Sequence, residues 1–491
     1  MSASQERHSR GDRPGVTSPA GLVPRSPLRL LDLLPAVSLV GYSVVLLALS
    51  RELDGDASTR GHVEWWSTGA SVVAGALYLV AMFTRRAHLG RRALAWTLGA
   101  AFVARVIVSS APPILESDFY RYFWDGAVAS HGINPFTHAP GDVLDGTVDG
   151  EDATLLRALA ERSGGVVASV NHAHLTTIYP PLAQVAFAAA AVVDPFGATG
   201  WRCVLAAFDV LTMVLLVRLL RTLSLPTERV WLYAANPLLL RETYAALHMD
   251  VLLLPFLVGA VLCAVRSRAF LGGVLGVAGS AVKVWPAVLV PLLIAPLWGR
   301  WKRLTVACVV LTVLAAALWA PALGSLSQEQ SGFAAYGKNW QNNDGFFRAG
   351  IWFCEWALAQ LGIAQWHAHA LMRWCSASLV LGIVLWQARL CRREPQAVPR
   401  RILLVVGAIF LLSPTQLPWY WIWCLPLLAV VPSPPLLLYT ALLPLYYVQD
   451  SLPAVHWIEH APVWGLLIVS AVKLLRARQA NREPRLEVAG A

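Results

Sequence analysis

Long, nearly unbroken apolar runs are what any fold of this chain must accommodate first: Leu31 to Leu49, Ala93 to Ser110, Trp201 to Leu220, Leu304 to Ala320 and Ile402 to Leu412. They approach or reach the roughly 20 residues a helix needs to cross a hydrocarbon layer about 30 Å thick. Over 491 residues, 57% are hydrophobic and 14% charged, and the mean hydropathy is +0.55. That is far more apolar sequence than one water-soluble core can bury. The chain must dissolve in lipid, and it does so as helices, because an open sheet edge would leave backbone groups unpaired where no water reaches.

The net charge of +10 does not indicate nucleic acid, because the basic residues form short clusters between apolar runs rather than one stripe. These clusters are Arg7, Arg10, Arg13, Arg25 and Arg29; Arg85, Arg86, Arg91 and Arg92; Arg300, Lys302 and Arg303; Arg392, Arg393, Arg400 and Arg401; and Lys473, Arg476 and Arg478. The positive-inside rule assigns all of them, and with them both termini, to the cytoplasm. Residues 1–27, rich in Ser, Arg, Pro and Gly, read as a disordered tail. The seven cysteines are scattered through apolar segments without a CxxC pair, so neither a zinc site nor a disulfide framework is indicated. Arginine outnumbers lysine 35 to 4, a balance typical of GC-rich bacterial coding, and the expected location is a bacterial plasma membrane.

Three spans, at about 29–50, 68–84 and 91–110, deliver the loop from Ala111 to Ile178 to the outside. That loop holds nine acids against three arginines, in keeping with an outer location and a partly helical, amphipathic structure. Parity then requires that segment 179–194 not span, and 347–361 is treated alike; both read as re-entrant or interfacial helices. Further spans fall at about 201–220, 228–245, 250–266, 268–283, 284–298, 303–321, 367–389, 400–418, 419–431, 435–448 and 462–476. The expected fold is an all-α polytopic bundle of about 12–14 spans. It divides into a cytoplasmic tail (1–27), three transmembrane helices (28–110), an extracytoplasmic loop (111–200), a transmembrane core (201–321), a second outer loop (322–366), C-terminal transmembrane helices (367–476) and a cytoplasmic tail (477–491).

With this threading the polar residues that interrupt helices collect on the outer side. They are Glu116 and Asp118, Arg241 and Glu242, His248 and Asp250, Lys283, the stretch from Lys338 to Arg348, and Ser413 to Tyr420. Ionisable residues at membrane depth are costly, so their convergence on one face marks a functional site; the bland reading is interfacial side chains and helix caps. Glu116-Ser-Asp118 can project two carboxylates toward one pocket mouth. Inverting glycosyl transfer needs one carboxylate to take the acceptor hydroxyl proton, and cations or polar donors to hold the departing phosphate.

The run Glu116-Ser-Asp-Phe-Tyr-Arg-Tyr-Phe-Trp-Asp-Gly126, followed by Gly132-Ile-Asn-Pro-Phe136, resembles the first outer loop of GT-C glycosyltransferases, in particular the bacterial polyprenol-phosphate-mannose-dependent mannosyltransferases. The acidic pair matches the Glu-x-Asp form of that fold's signature. Similar in turn are Tyr179-Pro-Pro-Leu182, Asn236-Pro-Leu238 leading to His248-Met-Asp250, Lys283-Val-Trp-Pro286, Asn339-Trp-Gln-Asn-Asn343 and Ser413-Pro-Thr-Gln-Leu-Pro-Trp-Tyr420. The resemblance implies that Asp118 is the catalytic base and that Glu116 tunes it or contacts acceptor hydroxyls. It implies inversion from a β-linked polyprenyl-phosphate sugar to an α-mannoside of a cell-envelope glycolipid or polysaccharide, without a metal cofactor. By charge and side of the membrane, Arg241, His248, Lys283 and Arg348 are candidates for the phosphate. Trp340, Trp419 and Tyr420 are candidates for sugar stacking or the lipid entrance, and Arg121, Asp250 and Asn343 complete the expected substrate-binding set. Two spans precede the helix leading to the acidic pair, where simpler members have that helix first.

Plainer readings stand beside these. Asp118 can pair with Arg121 on one helix face, Asp125 can close a helix at Gly126, Lys283 can reach for the interface, and His248 and Asp250 can cap the next helix. His456-Trp-Ile-Glu-His460 matches an inverted zinc-peptidase pattern but reads better as a solvated loop helix, with no third ligand evident. His172-Ala-His174 and His367-Ala-His369 are too sparse for metal sites. The chief rival function is a transporter or flippase of lipid-linked sugars, against which no internal repeat is seen; a polysaccharide ligase or polymerase is the third reading.

Overall fold

The computed structural model describes residues 30–85, 89–392 and 394–480, so the tail expected over 1–27 and most of that over 477–491 lie outside the described residues. It is helical throughout: no sheet forms among the described residues, and an isolated parallel bridge pairs Asn342 with Thr415. Helices α1 (Leu34–Gly55), α2 (Arg60–Arg85) and α3 (Arg91–Ser109) open the bundle. The first loop carries α4 (Asp118–Ser130) and is followed by α5 (Pro181–Val193) and α6 (Ala198–Thr222). Next come α7 (Leu254–Val265), α8 (Ala269–Ser280) and α9 (Trp301–Leu323). The second loop holds α10 (Gly332–Asn339) and α11 (Gly345–Gln360), and α12 (Ala368–Cys391), α13 (Val398–Leu412) and α14 (Val455–Ala480) complete the fold.

Among the described residues seven helices are long and apolar enough to cross a membrane: α1, α2, α3, α6, α9, α12 and α14. Their outward valines and tryptophans, such as Val306, Val309, Val313 and Trp374, are exposed in the isolated chain, as befits side chains whose solvent is lipid. The spans expected over 268–283, 284–298, 419–431 and 435–448 are shorter apolar helices instead. In three of them prolines interrupt the ladder (Pro286, Pro291 and Pro296; Pro418 and Pro426; Pro434, Pro435 and Pro444), since proline has no N–H to donate. The second span begins eight residues earlier than its apolar run, and Arg60 and Glu64 pair one turn apart at 2.9 Å on its first turns.

The expected spans 228–245 and 250–266 form one broken element, its halves bent by 108°. Asn236 starts the first half, its side-chain oxygen accepting from the backbone N–H groups of Leu238 and Leu239. A π-helical turn over Arg241–Ala245 follows, and Leu247 takes a φ of +61°. The freed backbone groups find partners from two other segments: Ile114 N–H donates to Ala245 O at 3.0 Å, and Trp201 Nε1 donates to Leu247 O at 2.9 Å. Such breaks persist at membrane depth where protein supplies the missing bonds.

In the first loop, α4 lies flat against α5. Gly126 does not close α4, which runs on to Ser130; a Cβ there would collide with the Phe187 backbone of α5, so the glycine permits the close approach. Asp125 ties the two helices by accepting from Gln184 Nε2 at 3.1 Å, and Tyr122 stacks on Phe187. Gly126→Val is expected to lower stability by about 1–3 kcal/mol through overpacking, read as an earlier thermal transition of the protein in detergent.

A buried ion pair that the apolar patterning concealed joins α3 to α6. Arg105 Nε donates to Asp209 Oδ2 at 2.7 Å. The Tyr233 and Tyr244 hydroxyls also donate to Asp209, at 2.8 and 2.7 Å, and Arg105 Nη1 reaches the Ala234 carbonyl at 2.9 Å. This cluster fixes the broken element from behind, because Tyr244 belongs to the π turn. Asp209→Ala strands a buried guanidinium, and a loss of about 3–5 kcal/mol is expected, seen as a shifted chemical or thermal unfolding midpoint.

Candidate functional site

The irregular segment after α3 carries the acidic pair. Leu115 adopts a φ of +62°, Glu116 N–H turns back to Ile114 O at 2.8 Å, and Asp118 begins α4. Glu116 and Asp118 line a cavity of about 510 Å³. The Asp118 carboxylate is 29% exposed and accepts from Asn171 Nδ2 at 3.5 Å and Tyr179 O–H at 3.4 Å.

Across the cavity, the segment after the 108° break places Asp250. Its Oδ1 accepts from Lys283 Nζ at 2.9 Å and from Trp423 Nε1 at 2.7 Å, leaving Oδ2 without a partner. Lys283 lies 4.2 Å above the Tyr420 ring centroid, a desolvated cation–π geometry. Arg121 also lines the cavity, but its Nη2 is committed to the carbonyls of Asn171, His172 and Leu175 at 3.1–3.3 Å. It shapes the wall, whereas Lys283 retains N–H groups that can face a ligand.

The far wall comes from the two remaining motifs. Asn342 N–H donates to Pro414 O and Gln416 N–H to Asn342 O, each at 2.9 Å, so the Asn339 and Ser413 segments pair as a short extended bridge. They bring Trp340, Trp419 and Tyr420 to the lining; Tyr336 and Tyr420 hydroxyls meet at 2.9 Å. Val284, Trp285, Ile409 and Phe410 add apolar side chains to the lining.

Eight of the twelve residues singled out in the sequence thus line the cavity: Glu116, Asp118, Arg121, Asp250, Lys283, Trp340, Trp419 and Tyr420. Four do not. Arg241 is enclosed behind the wall, donating to Ser67 O and Ser71 Oγ of α2 at 3.0 and 2.7 Å. His248 is fully buried and makes no side-chain cap. Asn343 points away to Glu459 Oε2 at 2.6 Å and Gln416 O at 3.1 Å, and Arg348 pairs with Asp344 at 3.0 Å. The first two helices now have a structural part: α2 holds Arg241, and Ser50 of α1 donates to the Pro112 carbonyl just ahead of the acidic pair.

Glu459 and His460 are not in a solvated loop. Both are buried at the start of α14, where His460 contacts the Asn343 carbonyl at 2.9 Å and the Tyr439 hydroxyl at 2.8 Å. Among the described residues no group of three or more His, Cys, Asp or Glu side chains is placed to hold a metal ion. Asn171 drew no notice in the sequence, and His172 stood out there only with His174 as a pair too sparse for a metal site; both line the cavity. Trp423, which falls one helical turn beyond Trp419 and Tyr420, also drew no notice.

The two carboxyls differ in environment. Burial pushes Glu116 well above the usual carboxylate range, and the charges of Asp118 and Glu242 push it further. Burial also raises Asp118, but the Asn171 amide and the Lys283 ammonium pull it back. Of the two, Asp118 is therefore the readier to ionise.

A helical bundle in the membrane with carboxylates, a cation and aromatic rings around one cavity is the architecture of a GT-C hexosyltransferase. The chain belongs to the family described as Alpha-(1->6)-mannopyranosyltransferase, N-terminal domain, whose family model matches residues 36–300. No curated protein and no solved structure matches the chain. The matched segment contains Glu116, Asp118, Asp250 and Lys283; the aromatic far wall lies beyond it.

Lys283→Met removes the cation that lowers the Asp118 pKa. The acid limb of the transfer rate is then expected to move to higher pH, and the donor KM to rise about 10- to 100-fold, measured in a pH series with variant and wild type side by side.

Proposed function

We propose that the protein transfers mannose from a polyprenyl-phosphate carrier to a hydroxyl of a cell-envelope glycolipid or polysaccharide, forming an α-(1→6) linkage with inversion on the extracytoplasmic face. The observation that carries this reading is that a partly exposed carboxylate, Asp118, and a cation with free donors, Lys283, face one cavity whose lining also includes apolar side chains. The family description supports mannose and the 1→6 position. The outer face is supported by the nine acids against three arginines in the loop bearing Asp118.

In this reaction Asp118 takes the proton of the acceptor hydroxyl as its oxygen bonds to the anomeric carbon. The bond from that carbon to the phosphate oxygen breaks, its electron pair leaving with the polyprenyl phosphate. One carboxylate base and one displacement invert the configuration, from β donor to α product. Lys283, oriented by Asp250 and Trp423, meets the growing phosphate charge. Trp340, Trp419 and Tyr420 offer faces on which sugar rings stack, and Val284, Trp285, Ile409 and Phe410 accept the first isoprene units.

The test is transfer by purified protein in lipid, supplied with radiolabelled polyprenyl-phosphate mannose and a membrane extract as acceptor. Wild type is expected to move label into product, and Asp118→Asn to lower the rate at least about 10²-fold with donor binding kept. Equal transfer by both would remove Asp118 as base. Movement of the labelled lipid between leaflets without transfer, unaffected by Asp118→Asn, would instead support a flippase.

A further inference from the structure

The three aromatic residues on the far wall are not equivalent as sugar platforms. Trp419 lies stacked on His248, ring centroids 3.7 Å apart and planes at 15°, and Tyr420 on Trp423, at 4.8 Å and 17°. Each of the two is buried and has one face covered. Trp340 is half-buried and meets its ring neighbours edge-on or tilted, His172 at 4.7 Å and 63° and Tyr336 at 5.6 Å and 33°. Among the described residues no ring is stacked on Trp340, which leaves its indole face to a ligand.

His172 completes this corner. It takes a φ of +50°, uncommon away from glycine, in a turn that is tied down twice. Arg121 Nη2 gathers the carbonyls of Asn171, His172 and Leu175 at 3.1–3.3 Å, and Asn171 Nδ2 donates to Ser117 Oγ at 2.8 Å. The exposed imidazole borders the cavity, and among the described residues neither of its nitrogens has a hydrogen-bond partner. Burial, and then the neighbouring His174, hold its pKa below the usual imidazole value. Near neutral pH the ring therefore offers one donor and one acceptor, which suits sugar hydroxyls. Trp340 is held as firmly: its carbonyl accepts from Arg373 Nη2 at 2.9 Å and from Thr415 Oγ1 at 3.3 Å.

Contacts give the wall an order. Lys283 lies over the Tyr420 ring, the Tyr420 hydroxyl meets that of Tyr336, and Tyr336 leads to Trp340. Beyond Trp340 come His172 and then Asn171, whose amide is 3.5 Å from Asp118 Oδ1. Displacement with inversion brings the incoming oxygen to the face of the sugar opposite the departing group. With the phosphate at Lys283, the acceptor belongs on the Asp118 side, where the uncovered indole and the unpartnered imidazole are found. That end is also the open one: Asn171 and His172 are exposed, whereas Tyr420 and Trp423 are buried.

Resting on the reading of Lys283 as phosphate partner and Asp118 as base, we infer that His172 and Trp340 form the acceptor subsite, holding the terminal pyranose of a glycan that reaches in from water. Trp340 takes the apolar face of that ring, and His172 hydrogen-bonds its hydroxyls. The rest of the glycan leaves through the exposed end, while the donor occupies the buried end. Neither residue handles the transferred proton, so both bind the acceptor alike in the ground state and the transition state. Such contacts set KM and leave kcat in place.

The experiment follows label from polyprenyl-phosphate mannose into the membrane extract, first with donor saturating and extract varied, then the reverse. Glycine adopts a φ of +50° without strain, so His172→Gly removes the imidazole and keeps the turn. Asparagine tolerates the same φ and restores a donor and an acceptor. His172→Gly is expected to raise the acceptor KM about 5- to 30-fold and Trp340→Ala about 10- to 100-fold, with kcat and the donor KM each within about threefold of wild type. His172→Asn and Trp340→Phe should recover most of the acceptor KM. An acceptor KM unmoved in His172→Gly and Trp340→Ala, a donor KM raised as much as the acceptor's, or a loss of kcat with both KM values unchanged overturns the inference. Transfer by Asp118→Asn at the wild-type rate removes the base reading and this inference with it. An inactive Asp118→Asn beside an unmoved acceptor KM removes this inference alone.

Discussion

The backbone from Ala245 to His248 is the constraint on which the rest depends. A chain in lipid cannot leave peptide groups bare, yet here the helix stops, Leu247 takes a positive φ, and the direction changes by 108°. The break holds because Ile114, four residues ahead of Asp118, donates to the Ala245 carbonyl, and Trp201 donates to that of Leu247. The same bonds that satisfy the break therefore set the acidic pair against the segment carrying His248 and Asp250. Cavity geometry and backbone satisfaction are one problem solved once.

Electrostatics follows the same economy of position. Buried charges near the site are paired: Arg105 with Asp209 across two helices, Arg241 with the serines of α2 and with its neighbour Glu242, Lys283 with Asp250. Water cannot reorganise around charges at this depth, so the pairs hold fixed orientations. Preorganised charges suit a reaction in which a phosphate leaves as an oxygen loses its proton. The extra helices α1 and α2 belong to this support, through Ser50, Ser67 and Ser71.

Much of the site was legible because its residues break local rules. A Glu-x-Asp pair after an apolar run, a lysine ending one, and a His-Met-Asp between two of them each stand out against a hydrophobic background. What misled was the equal visibility of charges with other duties. Arg241 and Arg348 have the charge and approximate depth of phosphate ligands, but one is locked to α2 and the other to Asp344. Asn343 falls in a cavity-lining motif yet turns to Glu459, because its φ of +52° points the side chain away. Asp209 and Arg105 drew no notice, each being a single charge in an otherwise apolar span whose partner is far off in sequence.

By itself the sequence determined that the chain is a helical membrane protein, where its apolar runs lie, and which ionisable residues interrupt them, because solubility in lipid and helix periodicity are local properties. The tertiary structure alone decided which interruptions share a cavity. It joined two expected spans into one bent element and turned proline-rich runs into short helices. It hid Arg241 and His248 behind the wall, and it placed an imidazole between two carboxylates from segments more than a hundred residues apart in the case of Asp118. Such contacts depend on how helices pack and where their breaks find hydrogen-bond partners, and no local pattern encodes that.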